Sequence, residues 1–173
     1  MTLQLRQHER RVRARDELHL ERRIDLAHHL EESRQDHPLP LRVQVRVVEI
    51  GPEHARLTAP LAPNINHRET VFGGSASAVA ILAAWSMLHL GLKVEGLGSR
   101  LVIQRNTMDY LTPIDGSFTA VALAPARPAW ESFTRMIRRK GLGRITKTAA
   151  LHYQGQVAGS LAGEFVAFGP GDA

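Results

Sequence analysis

Hydrophobic positions change their spacing along this chain, and each change predicts a different element. Residues 1–34 carry a loose apolar stripe among charged residues, which predicts an N-terminal helix that ends before Pro38. Apolar and polar residues then alternate over residues 43–47, which predicts a half-buried strand. After the turn signal Gly51-Pro52, residues 54–59 predict a second strand.

The most apolar stretch begins at Gly73-Gly74-Ser75 and predicts a long helix to about Leu90, which Gly91 and the glycines of residues 96–98 would end. It is apolar on nearly every side, so we expect other structure to wrap around it. A membrane-spanning helix needs roughly 20 apolar residues, and this stretch contains Ser86 and other polar groups. The pattern therefore favours a buried core helix.

Four strand-like segments follow, with a short amphipathic helix predicted at residues 128–140 between the second and the third. The segments are residues 101–111, 117–124, 144–153 and 157–168. Asp115-Gly116 and Gln154-Gly155 are typical of hairpin turns. This order predicts an α+β domain over residues 38–173, in which a mostly antiparallel sheet wraps round one long helix. Residues 1–37 would form a helical extension. The main alternative, a ferredoxin-like sandwich, would need two comparable amphipathic helices.

Composition narrows the chemistry. The 173 residues suit one domain with a full core, and the absence of cysteine excludes disulfides, thiolate metal sites and a cysteine nucleophile. The histidines at positions 8, 19, 28 and 29 have no clean ligand spacing, so no metal is expected. No secretory signal is visible, which favours a cytoplasmic protein.

The net charge of +5 is unevenly placed, because residues 1–37 carry eight arginines and eight acids. The excess forms a basic run in a stretch without acids, consisting of Arg135, Arg138, Arg139, Lys140, Arg144 and Lys147. The run is either a solvated cationic face or a docking surface for an anionic partner, with Arg138 and Arg139 as its centre. Coenzyme A or an acidic acyl carrier protein fits such a surface. A nucleic acid is disfavoured, since neither interleaved aromatic residues nor a binding motif is present.

Candidate chemistry lies in residues 64–75, where a polar loop leads into the start of the long helix. Unpaired N–H groups at a helix start, with the helix dipole behind them, favour a developing negative charge. Glycine lets a ligand approach the backbone closely. A thioester carbonyl that becomes an enolate or a tetrahedral oxyanion needs such donors. A plain helix cap is the structural alternative.

The loop also resembles a known family. Asn64-Ile65-Asn66-His67, followed by Thr70-Val71-Phe72-Gly73-Gly74-Ser75, is similar to the signature of thioesterase-like hotdog domains found at the C-terminus of YiiD-type proteins. Residues 59–63 and Asp109-Tyr110-Leu111-Thr112-Pro113 agree with it, and the likeness covers residues 39–168. In YiiD-type proteins an acetyltransferase domain precedes this domain; none is visible here, so the chain resembles the stand-alone form.

The resemblance implies a hotdog fold and a homodimer or dimer of dimers, with the acyl chain and pantetheine in a tunnel between subunits. It also implies decarboxylation of a malonyl-acyl carrier protein or malonyl-coenzyme A to the acetyl thioester, at the entry to fatty acid synthesis. An asparagine of the loop is the key catalytic residue in that family. Asn66 is the best match by position, and Asn64 is the runner-up.

Two departures bear on the choice between decarboxylation and hydrolysis. Many hotdog thioesterases carry a carboxylate in the central helix and a histidine before Gly-Gly, whereas residues 75–90 contain no acid and Phe72 precedes the glycines. Decarboxylation needs no base, only donors for the enolate oxygen, for which the Asn66 amide and the Gly74 N–H are candidates. We therefore favour decarboxylation, with a thioester hydrolase or a non-enzymatic acyl-coenzyme A-binding module as alternatives.

The remaining candidates have two interpretations each. Glu69 is either a general base, which would restore hydrolysis, or a surface residue; His67 either contacts substrate or braces the loop. Thr107 and Asp109 share one face of a strand and either line the site or face solvent. The predicted substrate-binding set is Asn64, Phe72, Gly73, Ser75, Thr107, Arg138 and Arg139. No cofactor is expected beyond the phosphopantetheine or coenzyme A that the substrate carries, and no membrane partner is expected.

Overall fold

The computed structural model describes residues 42–169 of the chain. The predicted extension over residues 1–37, with its five histidines, lies outside this range, and its role stays a prediction. Two α-helices, one short 3-10 helix (Ala62–Asn64) and six strands lie in the described part, in the order strand, strand, 3-10 helix, α-helix, strand, strand, α-helix, strand, strand. Their bounds are β1 Arg46–Ile50, β2 His54–Ala59, α1 Gly73–Val94, β3 Arg100–Tyr110, β4 Phe118–Leu123, α2 Arg127–Lys140, β5 Leu142–Tyr153 and β6 Gln156–Phe168.

All six strands form one antiparallel sheet in the order β1-β2-β4-β5-β6-β3. Side chains alternate between its two faces, and the inner face carries buried residues such as Leu57, Phe118, Leu151 and Phe165. Both helices cover this inner face. The opposite, outer face carries polar residues such as Thr146 and Glu164.

Helix α1 is the core helix that the hydrophobic pattern predicts. By length and composition alone it could cross a membrane. Its buried positions, however, pack under the sheet in the hydrophobic core, and many of them are alanines. Small side chains let the helix lie close to the strands, as a helix wrapped by a curved sheet requires.

The end of α1 differs from the prediction. Gly91 does not terminate the helix, which continues to Val94 and closes with a Schellman motif at Gly96. There the N–H of Gly96 donates to the Lys93 carbonyl at 3.0 Å, and that of Leu97 donates to the Leu92 carbonyl at 2.9 Å. Gly91 instead makes room for Trp130 of α2, because a Cβ at Gly91 would lie 2.7 Å from the indole ring.

Two further local predictions are wrong. The first strand begins at Arg46, and Val43 is buried in a helical turn before it, since Gln44 takes a left-handed conformation that interrupts the extended chain. Asp115-Gly116 is not a hairpin turn, because β3 lies at the sheet edge beside β6 while β4 lies between β2 and β5. The segment between them crosses the end of the sheet. Gln154-Gly155 does form the β5–β6 hairpin, with both residues at positive φ.

Candidate active site

The loop before α1 is a closed hairpin-like turn. Ile65 and Val71 form an isolated antiparallel bridge, and the N–H of Asn66 donates to the Thr70 carbonyl at 2.8 Å. The N–H of Phe72 donates to the Asn64 carbonyl at 2.7 Å. These bonds bring the two ends of the loop together, so Asn64 lies beside Phe72, the residue before α1.

Asn66 holds this loop together through its side chain. Its Nδ2 group donates to Thr70 Oγ1 at 3.0 Å and to the Val71 carbonyl at 3.3 Å. Its Oδ1 atom accepts from the N–H of Arg68 at 2.7 Å and from that of Thr70 at 3.4 Å. A substrate oxygen could therefore accept a bond from Asn66 only by replacing one of the two donor contacts, of which the contact to Val71 is the longer.

Asn64 is an anchor inside the protein, only 2% exposed. Its Nδ2 group donates to the carbonyls of Val43 at 2.9 Å and Pro60 at 2.7 Å, while its Oδ1 atom is buried without a hydrogen-bond partner in the described part of the chain. These contacts tie the loop to the segments before β1 and after β2. Of the two loop asparagines, Asn66 is the more exposed one.

His67 and Glu69 lie at the exposed tip of the loop. Glu69 takes a left-handed conformation with φ of 62°, which glycine adopts readily and other residues adopt at a cost of about 1–2 kcal/mol. The tip is therefore strained at a residue whose carboxylate faces the surface. Neither side chain takes part in the hydrogen bonds that close the loop.

The first turn of α1 offers backbone donors. Phe72 is the N-cap residue and provides no side-chain cap, and the N–H groups of Gly73, Gly74 and Ser75 donate to no residue that the structure describes. Such N–H groups at a helix start carry partial positive charge. They form the donor set that an anionic oxygen would need.

Two exposed aromatic residues flank these donors. The Phe72 ring covers Gly74 so closely that a Cβ on that glycine would overlap it, although the side chain remains 57% exposed. The Tyr110 hydroxyl, at the end of β3, donates to the Gly73 carbonyl at 2.8 Å. Tyr110 is not among the site residues predicted from the sequence, although it lies in the stretch Asp109-Tyr110-Leu111-Thr112-Pro113 that supports the resemblance.

Thr107 lies away from this cluster. It pairs with Ala162 in the register of β3 and β6, on the outer face of the sheet, and Asp109 lies on that face as well. Met108 and Tyr110 occupy the inner face, towards α1. Within one chain, Thr107 therefore does not join the residues around Gly73, and its predicted contact with substrate stays a prediction.

The residues of the basic run lie in different surroundings in the structure. Arg138 pairs with Glu95 at 2.6 Å, and this hydrogen bond, with a second from Trp130, lowers the pKa of the Glu95 carboxyl. Arg139 is exposed at the last turn of α2, where cations interact favourably with the helix dipole. Lys147, in contrast, is buried on the inner face of β5.

This surface of α2 is remote from the loop in the same chain. Trp130 packs against Gly91 near the end of α1, and a rise of 1.5 Å per residue from Gly73 to Gly91 corresponds to about 27 Å. Arg138 lies still nearer that end, beside Glu95. Arg138 and Arg139 are therefore not brought together with the other predicted site residues.

The segment between β3 and β4 braces the loop. The N–H of Val71 donates to the Ile114 carbonyl at 2.7 Å. Next to it, the Tyr153 hydroxyl donates to Asp115, which raises the pKa of that hydroxyl, and a Cβ at Gly116 would lie 2.9 Å from the Tyr153 ring. The β5–β6 hairpin thus supports the helix start through this segment.

Acids are scarce around the helix start. Helix α1 contains no carboxylate, and the carboxylate nearest in sequence is that of Glu69 at the loop tip. No group of three or more histidine or acidic residues that could hold a metal occurs in residues 42–169. The arrangement offers backbone and amide donors beside an apolar helix, which suits stabilisation of an oxyanion.

An antiparallel sheet around one buried helix, with a glycine-rich helix start beneath a polar loop, defines a protein of the hotdog thioesterase class. Residues 27–169 match the family described as "Putative thioesterase (yiiD_Cterm)". The chain belongs to this family, as its loop motif predicts. The family match begins before the region of likeness expected from the sequence and ends one residue after it.

Solved structures agree on the fold. A protein of unknown function from Chlorobaculum tepidum matches with a TM-score of 0.76 and 27% identity, over 83% of this chain and 94% of that one. A protein titled as a putative thioesterase from Shewanella oneidensis matches with a TM-score of 0.73 and 21% identity, over 88% and 99%. A Haemophilus influenzae thioesterase matches with a TM-score of 0.59 and 12% identity, over 77% and 84%.

Proposed function

We propose that this protein decarboxylates the malonyl thioester of an acyl carrier protein or of coenzyme A, and that the reaction takes place at the start of α1. The observation that carries the proposal is the combination of unpaired N–H groups at Gly73 to Ser75 with a helix that contains no carboxylate. Donors are present for a developing oxyanion, whereas a general base is absent from the helix.

The reaction requires a thioester carbonyl directed at these donors. The bond between C2 and the carboxylate carbon breaks, its electron pair moves into an enolate, and carbon dioxide leaves. The enolate oxygen accepts hydrogen bonds from the helix N–H groups, and C2 then takes a proton from water to give the acetyl thioester. The N–H of Gly74 and the amide of Asn66 are the proposed donors, with His67 and Ser75 as neighbours of the substrate.

Asn66 has a double role in this proposal. Its Oδ1 and Nδ2 atoms both shape the loop, and Nδ2 turns to the enolate in exchange for the 3.3 Å contact with Val71. Asn66→Asp keeps the acceptor atoms but loses every Nδ2 bond, so its free energy of unfolding is measured beside its activity to separate a weakened loop from a lost donor. We expect Asn66→Asp and Asn66→Ala each to lower kcat by about 100-fold or more, as removal of an oxyanion donor does. Full activity in Asn66→Asp would show that the amide donates nothing to the reaction.

A second copy of the chain completes the proposed site. Strand β3 ends the sheet, so its outer edge is free to pair within the described part of the chain, and Ile65, Phe72, Tyr110 and Leu111 expose apolar surface beside the helix start. Pairing of a second copy at this end would cover that surface and enclose the acyl group and pantetheine. Light scattering is expected to give the mass of a dimer or of a dimer of dimers.

Hydrolysis is the second candidate, favoured by the description of the family and by the one acid of the loop, Glu69. Incubation with malonyl-acyl carrier protein separates the two. Decarboxylation gives carbon dioxide and acetyl-carrier protein, whereas hydrolysis gives free thiol and malonate. A hydrolase that used Glu69 as its base would lose activity in Glu69→Gln. Tight binding of acyl-coenzyme A without either product would identify a binding module instead.

A further inference from the structure

The Tyr110 hydroxyl contacts the peptide group that carries one of the proposed oxyanion donors. It donates to the Gly73 carbonyl at 2.8 Å, and that carbonyl belongs to the same peptide group as the N–H of Gly74. The N–H of Gly74 in turn donates to no residue in the described part of the chain. A side-chain hydroxyl and a donor without an acceptor therefore lie on the two sides of one peptide group at the start of α1.

The end of β3 holds the tyrosine in place. Tyr110 is the last residue of this strand, and it pairs with Gly159 of β6. The N–H groups of the next two residues, Leu111 and Thr112, both donate to the Ala158 carbonyl, at 3.0 and 3.2 Å. Because the backbone is bound to β6 at Tyr110 and just beyond it, the hydroxyl approaches the helix start from a fixed position.

A glycine at position 73 allows this close approach. A Cβ at Gly73 would lie 3.2 Å from both the hydroxyl oxygen and the Cζ atom of Tyr110, which is closer than side chains usually pack. The peptide group between Gly73 and Gly74 also has no Cβ on either side, so its plane can rotate more freely than most. The bond from Tyr110 restricts this rotation, and the second lone pair of the carbonyl oxygen remains available for a bond within the helix.

A bond accepted by a peptide carbonyl also strengthens the N–H of the same peptide group as a donor. Successive hydrogen bonds polarise one another, by roughly 10–30% for each bond, and most strongly where water is excluded. The Tyr110 side chain is 56% exposed in one chain and belongs to the apolar surface that a second copy would cover in the proposed dimer. With Tyr110 in place, the Gly74 N–H is therefore both better oriented and a stronger donor.

We infer that Tyr110 is a positioning residue, which orients and polarises the peptide group of Gly73 and Gly74 so that the Gly74 N–H donates more strongly to the thioester oxygen. The inference rests on the proposed function, from which it takes the acyl-thioester site at α1, and it adds a residue from outside the loop and the helix. Tyr110 acts through the peptide group and not by contact with the substrate. Because the negative charge on the oxygen is greatest in the transition state, loss of the hydroxyl should lower kcat and leave KM nearly unchanged.

Tyr110→Phe removes the hydroxyl and keeps the ring. We expect kcat for malonyl-coenzyme A to fall by about 10-fold, which is less than the roughly 100-fold loss expected when a donor itself is removed. Gly73→Ala should lower kcat in the same way, because its methyl group displaces the hydroxyl. Alanine favours the helix more than glycine does, so this second variant should lose activity without a lower Tm, which a general weakening of the fold would not produce.

A spectroscopic probe reports the strength of the donors without turnover. Acetonyl-coenzyme A carries a methyl ketone in place of the thioester, so it can be neither hydrolysed at that carbonyl nor decarboxylated. When its ketone carbon is labelled with ¹³C, the resonance should move downfield on binding, because hydrogen bonds to the oxygen withdraw electron density from the carbon. We expect a smaller downfield shift with Tyr110→Phe. Tyr153→Phe, at the other tyrosine of the chain, is the matched control and should give the wild-type shift, since its hydroxyl donates to Asp115.

The outcomes separate this inference from the proposed function. If malonyl thioesters are decarboxylated but Tyr110→Phe keeps the wild-type kcat and carbonyl shift, the inference is wrong and the function stands. If no malonyl thioester is decarboxylated but the carbonyl shift depends on Tyr110, the function is wrong and the inference stands for another reaction of an acyl thioester. A raised KM with unchanged kcat in Tyr110→Phe, or a ketone resonance that does not move on binding to the wild-type protein, would overturn the inference.

Discussion

At the scale of single residues, the loop before α1 depends on polar groups that serve the fold first. The side chain of Asn64 donates its hydrogen bonds to the Val43 and Pro60 carbonyls, and the side chain of Asn66 makes its hydrogen bonds to other residues of the loop. The motif therefore encodes a closed loop whose end, at Phe72, leads directly into the N–H groups of the helix start, which have no acceptor in the described part of the chain. A substitution in this loop therefore changes both the loop structure and the chemistry of the site, unless the variant is chosen so that it changes only one of them.

Glu69→Gly separates them at the loop tip. Removing a side chain from a residue at φ of 62° relieves strain, so we expect the free energy of unfolding to rise by about 1 kcal/mol. Chemical denaturation measures it. Glu69→Gln keeps the strain and should unfold like the wild type. A less stable Glu69→Gly would mean that the carboxylate stabilises the loop, and a loss of catalytic activity in both variants would assign Glu69 to the reaction.

The pair of Glu95 and Arg138 gives a pH-dependent contribution to stability. The pKa of Glu95 lies below its ordinary value of 4.5 in the folded protein, so the contribution is present above pH 4.5 and is lost as the pH falls through the lowered pKa. Both side chains are more than a third exposed, and the contribution should stay below about 1 kcal/mol. Arg138→Met should therefore destabilise slightly at pH 7, and less as the pH falls through the lowered pKa of Glu95. Arg139→Met is the control, and a deficit independent of pH would contradict the ion-pair explanation.

At the scale of elements, the junction of α1 with α2 depends on a missing side chain. Gly91 lies inside α1 where the Trp130 ring packs, and the indole Nε1 donates to Glu95 at 3.3 Å. A glycine in a helix ordinarily costs about 1 kcal/mol relative to alanine. Here the close approach of α2 compensates for that cost, which explains why the helix continues through a residue that favours its end.

Gly91→Ala tests this junction. The added Cβ would force the Trp130 ring outward, and overpacking of about 1–3 kcal/mol should exceed the gain in helix propensity of about 1 kcal/mol. We expect a net loss in the free energy of unfolding, with a change in tryptophan fluorescence. Gly98→Ala is the matched control, because a Cβ there meets no atom within 4 Å. Equal stability of the two variants would show that the contact is not close in solution.

At the scale of the whole molecule, the basic surface of α2 and the helix start of α1 are about 27 Å apart in one chain along the helix axis. A carrier protein docked at Arg139 would therefore deliver its substrate more readily to a site in a second copy, whose position depends on how the edge strands pair.

Arg139→Glu tests this docking surface while leaving the ion pair of Arg138 intact. If the surface binds an acidic carrier protein, KM for malonyl-acyl carrier protein should rise by about 5- to 10-fold, whereas KM for a short malonyl-pantetheine analogue should not change. Arg138→Glu combined with Arg139→Glu should have a larger effect on the carrier substrate. Equal effects on both substrates would exclude docking at this surface.

The sequence by itself determined the element order, the buried helix and the family. These follow from local periodicity, turn residues and a motif of adjacent residues, which need no knowledge of distant contacts. It also located the loop of residues 64–75, because polar residues beside Gly73-Gly74 are visible in the linear chain. The β5–β6 hairpin was predictable for the same reason, since Gln154-Gly155 both take positive φ.

Only the tertiary structure decided which residues meet. Tyr110 reaches Gly73 across 37 positions, and the face that each residue of β3 presents depends on its register with β6, which a bulge between Ile103 and Arg105 changes. The order of the strands places Asp115-Gly116 in a segment that crosses the end of the sheet from β3 to β4. Packing against Trp130 accounts for Gly91 lying within the helix and not at its end. Lys147 appeared in the sequence as one member of a basic run. In the structure its side chain lies on the inner face of the sheet together with those of Ile145 and Ala149, because in a strand every second side chain points to the same face.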